Sequence, residues 1–227
     1  IVPLAGPDFV RGDGSVKAEL SVDGKPLLRR ALESRPWSGR VAGSDYVFVL
    51  RDRPETRRFA AARLAEWYPG AATVFLGRET LGAALSSLAG VALAPGPDGP
   101  LVIDLADILY AASFDPEAAF AADPRRGGIA LTFPSSSPAY SYLQVDEANR
   151  FVAAAEKKVI SRHASAGTYL FASAAVFLRA VAHALENRES QQHAGLFYVC
   201  PLFNGVKAAG YEVALAPVQD VFDLKVG

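Results

Sequence analysis

Five charged positions in this chain have the type and setting to act on a phosphorylated ligand: Arg11, Lys17, Asp107, Glu156 and Lys157. Arg11 and Lys17 fall in a polar loop that begins at Gly6 and also carries Asp8, Asp13, Glu19 and Asp23. Two cations there can bind a triphosphate and offset charge that builds on its oxygens during transfer; the same residues could simply solvate a surface loop. Asp107 stands near the end of LVIDLADILY, residues 101–110, a nearly unbroken apolar run. If the run is a buried strand, Asp107 lies at its carboxyl end, the ligand side of open α/β sheets. A carboxylate there can hold Mg²⁺ against substrate phosphates, or cap a turn. Asp104, deeper in the run, needs a partner if buried and reads as structural. The pair Glu156-Lys157 ends a β-rich segment. Its Glu can accept from sugar hydroxyls and its Lys can meet a phosphate, whereas a plain exposed ion pair would be worth only about 0–1 kcal/mol.

Other chemistries find no support. His163, His183 and His193 have no metal-ligand spacing with one another or with Cys200. There is no Gly-x-Ser-x-Gly elbow, no Gly-x-x-x-x-Gly-Lys-Ser/Thr loop and no Gly-x-Gly-x-x-Gly pattern. The lone Cys200 excludes an internal disulfide framework and reads as a buried small hydrophobe in a reducing compartment.

The elements that must position these groups follow from patterning. Residues 1–5 read as a buried strand feeding the polar loop, and a helix is entered at Pro26, an arrangement that lets backbone N–H groups and a helix N-terminus face an anion. Strands are expected over 45–50 and 72–76, and helices over 54–67 and 80–88, the latter with Thr80 as its N-cap. APGPDGP, residues 94–100, is a turn. Alternation of helices with continuous apolar strands argues for a parallel sheet covered on both faces. The second half reads as more β-rich, with strands over 128–133, 140–145, 151–157, 166–172 and 212–216, and helices over 174–185 and 201–209.

The composition is that of a soluble globular chain: 227 residues, 51% hydrophobic, 21% charged, formal net charge -1. The near-neutral balance gives no electrostatic case for nucleic acid or an anionic membrane. No apolar run approaches the ~18 residues of a membrane span, and no signal peptide is expected ahead of Ile1. A cytoplasmic single domain is therefore expected, with homo-oligomer formation left open. Met is absent even at position 1, which leaves room for residues before Ile1.

Several blocks, taken in order along nearly the whole chain, resemble the sugar-1-phosphate nucleotidyltransferases. Pro3-Leu4-Ala5-Gly6 resembles the family's opening Leu-Ala-Gly, and Lys17 with residues 22–28 (VDGKPLL) resembles its Pro-Lys-Pro-Leu segment. Thr80-Leu81-Gly82 stands where the family often has Gln-Gly before the base-contacting helix. LVIDLAD is similar to the strand ending in a metal-binding Asp, and Tyr140-Ser141-Tyr142 to the Tyr-Gly strand near the sugar. AEKKVIS (155–161) resembles Glu-Lys-Pro, ASAGTYLF (164–171) the Ala-Gly-x-Tyr strand, and LFYVCPLFN (196–204) the segment before the last helix.

The resemblance implies a Rossmann-like GT-A nucleotidyltransferase fold. It would have a mostly parallel central sheet with helices on both faces, a nucleotide-binding half (1–110) and a β-rich sugar-binding half (111–227). It implies attack of a sugar-1-phosphate oxygen on the α-phosphate of a nucleoside triphosphate, with Mg²⁺ as cofactor. Arg11 and Lys17 would hold the triphosphate, and Leu4, Ala5, Gly6 and Gly82 the nucleotide. Ser141, Glu156, Lys157 and Gly167 would meet the sugar phosphate, and Asp107 and Asp223 the metal. The sequence departs from the family at Pro7 and Asp8, where the loop is usually glycine, and at Lys225, about where the second metal-binding Asp is expected. A catalytically impaired binding module of the same fold is the alternative. A glycosyltransferase is disfavoured because Asp104 and Asp107 are one residue too far apart for an Asp-x-Asp motif.

Overall fold

The computed structural model describes residues 1–94, 96 and 99–223. β1 (Val2–Leu4) leads through a long loop to a short hairpin, β2 (Ser21–Val22) and β3 (Lys25–Pro26), and then helix α1 (Leu27–Glu33). β4 (Val47–Arg51) precedes α2 (Pro54–Phe59), which runs through a π turn over Ala60–Leu64 into α3 (Ala65–Trp67). Next come β5 (Ala72–Leu76), α4 (Ala83–Val91), β6 (Leu101–Asp104) and β7 (Ile108–Ala111). The remainder comprises α5 (Pro116–Ala121), β8 (Arg126–Pro134), β9 (Tyr142–Val145), β10 (Phe151–Ala155), β11 (His163–Phe171), α6 (Ala174–Glu186) and α7 (Arg188–Gln191). It closes with the hairpin β12 (Gln192–His193) and β13 (Leu196–Phe197), then α8 (Leu202–Ala208), β14 (Glu212–Pro217) and β15 (Gln219–Asp223).

β1, β4 and β5 pair in parallel. Beyond β1 the sheet continues into β6: the Ile1 nitrogen donates to the Val102 carbonyl at 2.7 Å, and the Asp104 amide donates to the Ile1 carbonyl at 3.0 Å. β6 then pairs antiparallel with β11, β11 antiparallel with β8, and β8 parallel with β14. The spatial order is β5-β4-β1-β6-β11-β8-β14. The sheet expected to be mostly parallel is parallel across β5, β4, β1 and β6, and mixed beyond.

Side-chain alternation explains why these strands read as unbroken apolar runs. Ile1, Val47, Val49, Leu101 and Ile103 point into one core with α4, α6 and α8. Val2, Leu4, Phe48 and Leu50 point the other way, onto α1, Phe59 and Leu64. A strand buried on both faces has no polar side to show. Cys200 is fully buried in the first of these cores, as a small hydrophobe. No helix among the described residues is long and apolar enough to cross a membrane.

The run 101–110 is not one strand. It breaks after Asp104 and resumes at Ile108, with Ala106 in the left-handed region at φ 53°. The break is made by Asp104, whose Oδ1 accepts the Ala106 amide at 2.8 Å and so offers the backbone an alternative to the ladder. That carboxylate is buried, and Arg35, just past α1, closes on it with Nε at 2.6 Å and Nη2 at 3.0 Å. The Arg35 guanidinium also lies 4.0 Å from the Tyr110 ring centroid. Removing one partner strands a charge in the core. Arg35→Met is therefore expected to destabilise the protein by about 3–5 kcal/mol, and Arg35→Met with Asp104→Leu to recover most of that loss, both read by urea unfolding.

Candidate functional site

The carboxyl ends of β1 and β6 lie side by side, and a cleft of about 480 Å³ opens over them. Leu4 lines it from the end of β1, Ala5, Gly6 and Asp8 from the loop that follows, and Lys17 from the far end of that loop. Thr80 and Gly82 line it ahead of α4, Asp107 from the break between β6 and β7, and Lys157, Leu196 and Tyr198 from the second half of the chain. Seven of the residues singled out in the sequence thus meet in one place: Leu4, Ala5, Gly6, Lys17, Gly82, Asp107 and Lys157. Arg11, Ser141, Glu156, Gly167 and Asp223 are not part of the lining.

The first loop is a compact excursion rather than an open cradle. Lys17 donates its amide to the Phe9 carbonyl at 2.8 Å, and Arg11 its amide to Ser15 at 2.8 Å, so the chain doubles back. Phe9 is buried and meets Phe59 edge-on at 5.8 Å, which pins the loop to the core. Lys17 is drawn inward, with its Nζ 3.5 Å from Asp8 Oδ2. Arg11 is left at the tip, 3.9 Å from Asp13 and half exposed.

On the opposite wall, the N-cap of α4 is Gly82, not Thr80. Gly82 adopts φ 107°, and a Cβ there would stand 2.3 Å from the Phe197 carbonyl oxygen. Only glycine allows this approach, in which the Phe197 amide donates to the Leu81 carbonyl at 2.7 Å. Thr80 is no cap: its hydroxyl donates to the Gly82 carbonyl at 3.1 Å and lies 2.6 Å from the Ser86 hydroxyl.

Asp107 sits in the β6–β7 break against Gly167. Gly167 has φ 75°, the left-handed region that favours glycine, and a Cβ on it would sit in ordinary contact, 3.4 Å from Asp107 Oδ1. The Gly167 carbonyl accepts the Leu105 amide at 2.9 Å, which ties the break to β11. β15 pairs with β7 so that Asp223 stands opposite Ile108, next in sequence to Asp107. Tyr140 senses both carboxylates. Burial first, then the Asp223 charge and hydrogen bond, push its hydroxyl up to about 12, and the Asp107 charge adds to this. Asp107 lines the cleft and Asp223 does not, and carboxylate oxygen is the donor type Mg²⁺ uses beside substrate phosphates. Among the described residues no group of three or more His, Cys, Asp or Glu forms a metal cage. Lys225 lies outside the described residues, as do Pro95, Pro97 and Asp98 of the 94–100 turn.

Beside the cleft, Ser141 hydrogen-bonds Glu156, with the Ser141 hydroxyl donating to Oε2. The buried Tyr169 and Cys200 lie within reach of the same carboxylate. Burial and then the Glu156 charge push the Cys200 thiol well up; burial, Cys200 and Glu156 do the same to the Tyr169 phenol. β10 stops at Ala155, so Glu156 and Lys157 fall just past the strand, and Lys157 turns into the cleft with φ 50°. A lysine held in the left-handed region is a strained backbone position of the kind that clusters at functional sites. Sequence patterning did not single out Tyr198, Glu79 or Arg35. Glu79 lines the cleft and pairs with Arg51 at 3.0 Å. Tyr198 follows a two-residue hairpin whose turn, Ala194-Gly195, has positive φ at both positions; that Ala-Gly pair was the available signal.

No protein-family model and no curated protein matches this sequence. Solved structures do match in shape. A nucleoside-diphosphate-sugar pyrophosphorylase from Vibrio cholerae RC9 superposes with TM-score 0.78 at 18% identity, over 93% of this chain and 88% of that one. A candidate glucose-1-phosphate thymidylyltransferase from Bacillus anthracis, in complex with sucrose, gives TM-score 0.71 at 13% identity, over 98% and 87%. The inositol-1-phosphate CTP transferase from T. maritima gives TM-score 0.66 at 15% identity, over 97% and 85%. These likenesses establish the fold that the chain shares with sugar-nucleotide pyrophosphorylases and related nucleotidyltransferases.

The Gly82 geometry gives a direct test of how the cleft is built. Gly82→Ala should lower stability by more than about 1 kcal/mol in urea unfolding, since the added methyl meets backbone atoms and the φ disfavours any L side chain. Ser86→Ala, on the same helix, removes a hydroxyl bonded to Thr80 Oγ1 and the Gly82 carbonyl but adds no clash or backbone strain, and should cost less.

Proposed function

We propose that this chain, built on the nucleotidyltransferase fold in its Rossmann-like GT-A form, transfers a nucleotidyl group from a nucleoside triphosphate to a sugar-1-phosphate. The observation that carries the reading is the convergence of Lys17, Asp107 and Lys157 on one cleft beside Leu4, Ala5, Gly6 and Gly82. A phosphate oxygen of the acceptor forms a bond to the α-phosphorus, the α–β anhydride breaks, and pyrophosphate leaves with the bonding electron pair. Little covalent work falls to the protein. Its task is to align two anions and neutralise the charge between them.

Residues 1–110 take the nucleotide and 111–227 the sugar phosphate. Lys17 faces the triphosphate. Its pairing with the exposed Asp8 is worth about 0–1 kcal/mol, little enough for a polyanion to displace. Pro7 has no N–H to offer, so Lys17 carries a larger share of phosphate binding than it would in a glycine-rich loop. Arg11 joins only if the loop tip bends toward the cleft. Lys157 holds the acceptor phosphate, while Glu156, oriented by Ser141, and the Gly167 backbone meet the sugar. Asp107 and Asp223 would hold Mg²⁺, which supplies positive charge to the phosphoryl oxygens when bound.

A second reading is favoured by one observation: Asp8 already neutralises Lys17, in a loop where Pro7 removes a donor. That reading is a binding module that keeps a nucleotide-sugar without making it. Pyrophosphate release, assayed with each nucleoside triphosphate against a panel of sugar-1-phosphates, separates the two. Turnover is expected with Mg²⁺ and none with chelator. Asp107→Asn should reduce kcat by about 10²–10³-fold, and Lys17→Ala should raise the KM for the triphosphate and lower kcat. No turnover with any pair, alongside calorimetric binding of a nucleotide-sugar, would establish the module instead.

A further inference from the structure

Arg35 lines no part of the cleft, yet it grips the chain on both sides of Asp107. We propose that Arg35 is a positioning residue for Asp107, acting through Asp104 and the Ile108 carbonyl. The proposal rests on the reading of Asp107 as a carboxylate that holds a divalent cation.

The geometry is specific. Arg35 Nε and Nη2 donate to the two oxygens of Asp104 at 2.6 and 3.0 Å, and Nη2 also donates to the Ile108 carbonyl at 3.1 Å. Asp104 Oδ1 accepts the Ala106 amide at 2.8 Å. The residue before Asp107 and the residue after it are therefore both tied to one guanidinium. Tyr110 supports that guanidinium from below with its ring, 4.0 Å away, and is itself anchored through its hydroxyl to Thr168 Oγ1 at 2.8 Å. A guanidinium suits this task because its planar fork serves a carboxylate and a carbonyl at once, which an ammonium does not.

The ion pair makes poor sense as a stabilising device alone. Buried pairs can often be exchanged for apolar residues of similar volume without loss of stability. Apolar side chains cannot, however, bond the Ala106 amide or the Ile108 carbonyl, so they cannot hold Ala106 in its left-handed conformation. Arg35 also directly follows α1, the helix reached from the loop that bears Lys17. One residue thus links the cationic loop to the turn that carries the carboxylate. Groups that orient a metal-binding side chain typically matter by about 10–100-fold in metal affinity or activity.

A structural role and a positioning role diverge in the double variant Arg35→Met/Asp104→Leu. If the pair only stabilises, an apolar replacement that restores folding restores function as well. If it positions Asp107, folding returns and function does not. The test is Mn²⁺ binding to the free, folded protein by electron paramagnetic resonance, with kcat and KM measured in parallel. The variants are the double, Arg35→Lys, and Asp107→Asn as the reference. Both Arg35 variants are expected to bind Mn²⁺ about 10-fold more weakly or worse, and to lower kcat, with the KM for the sugar phosphate within about twofold of the parent. A folded double variant with parental Mn²⁺ affinity and kcat would overturn the proposal. Should the double variant not fold, Arg35→Lys decides, since it keeps the charge opposite Asp104 but not the fork. If Asp107→Asn abolishes Mn²⁺ binding while both Arg35 variants match the parent, the positioning role alone falls. If Asp107→Asn leaves Mn²⁺ binding intact, the metal reading of Asp107 falls and takes the proposal with it.

Discussion

The buried pair between Arg35 and Asp104 is the constraint around which this molecule is arranged. A carboxylate within an apolar strand would normally end that strand's usefulness to the core. Here the cost of burying it is met by a guanidinium from outside the sheet, and the product is a break at a controlled place. The break lets one run of sequence serve two sheets: β6 beside β1 and β11, and β7 beside β15. It also lifts Asp107 out of the ladder to the edge of the cleft. Stability, topology and the placement of a cleft carboxylate thus meet in one interaction.

The cleft is assembled from segments distant in sequence, and each is held by backbone contacts more than by its own side chains. The first loop closes on itself through the Phe9 carbonyl and the Ser15 carbonyl. The stretch ahead of α4 is seated against Phe197, and the Asp107 turn against Gly167. Fixed backbone is what the proposed site for two phosphorylated ligands would require, because charge neutralisation falls off with misplacement of even one group.

Much of this was legible in the sequence. Strands such as Val47–Arg51 and Ala72–Leu76 announce themselves by apolar density, and the order of motifs pointed to the nucleotidyltransferase fold before any geometry was known. Lys17, Asp107 and Lys157 were singled out as charges in the first loop or at strand ends, and Gly82 through the family resemblance; all four line one cleft. What stayed hidden were relations between distant residues. Arg35 is separated from Asp104 by 69 positions, and nothing in the local pattern links the two. The split in residues 101–110 was invisible because nothing in Leu105-Ala106-Asp107 signals a left-handed alanine; the cause is a side chain from the same run folding back. Thr80 looked like a helix cap because threonine is a common one, but the close approach of Phe197 makes Gly82 the N-cap. Arg11 was grouped with Lys17 by sequence proximity, whereas the doubling-back of the loop sends the two in different directions.

The pairing of Asp8 with Lys17 has a bearing on what the cleft ignores. A phosphate site lined by bare cations fills with whatever small anion is most abundant around it. This one carries its own counter-ion on the same loop, so at rest the lysine is satisfied and presents little net attraction. A small monoanion has to compete for that lysine with an aspartate on the same loop, a pairing worth about 0–1 kcal/mol. A ligand with several adjacent charges does not face that handicap. On the proposed reading, the loop would set a modest threshold on ligand charge, no larger than the about 0–1 kcal/mol of an exposed ion pair.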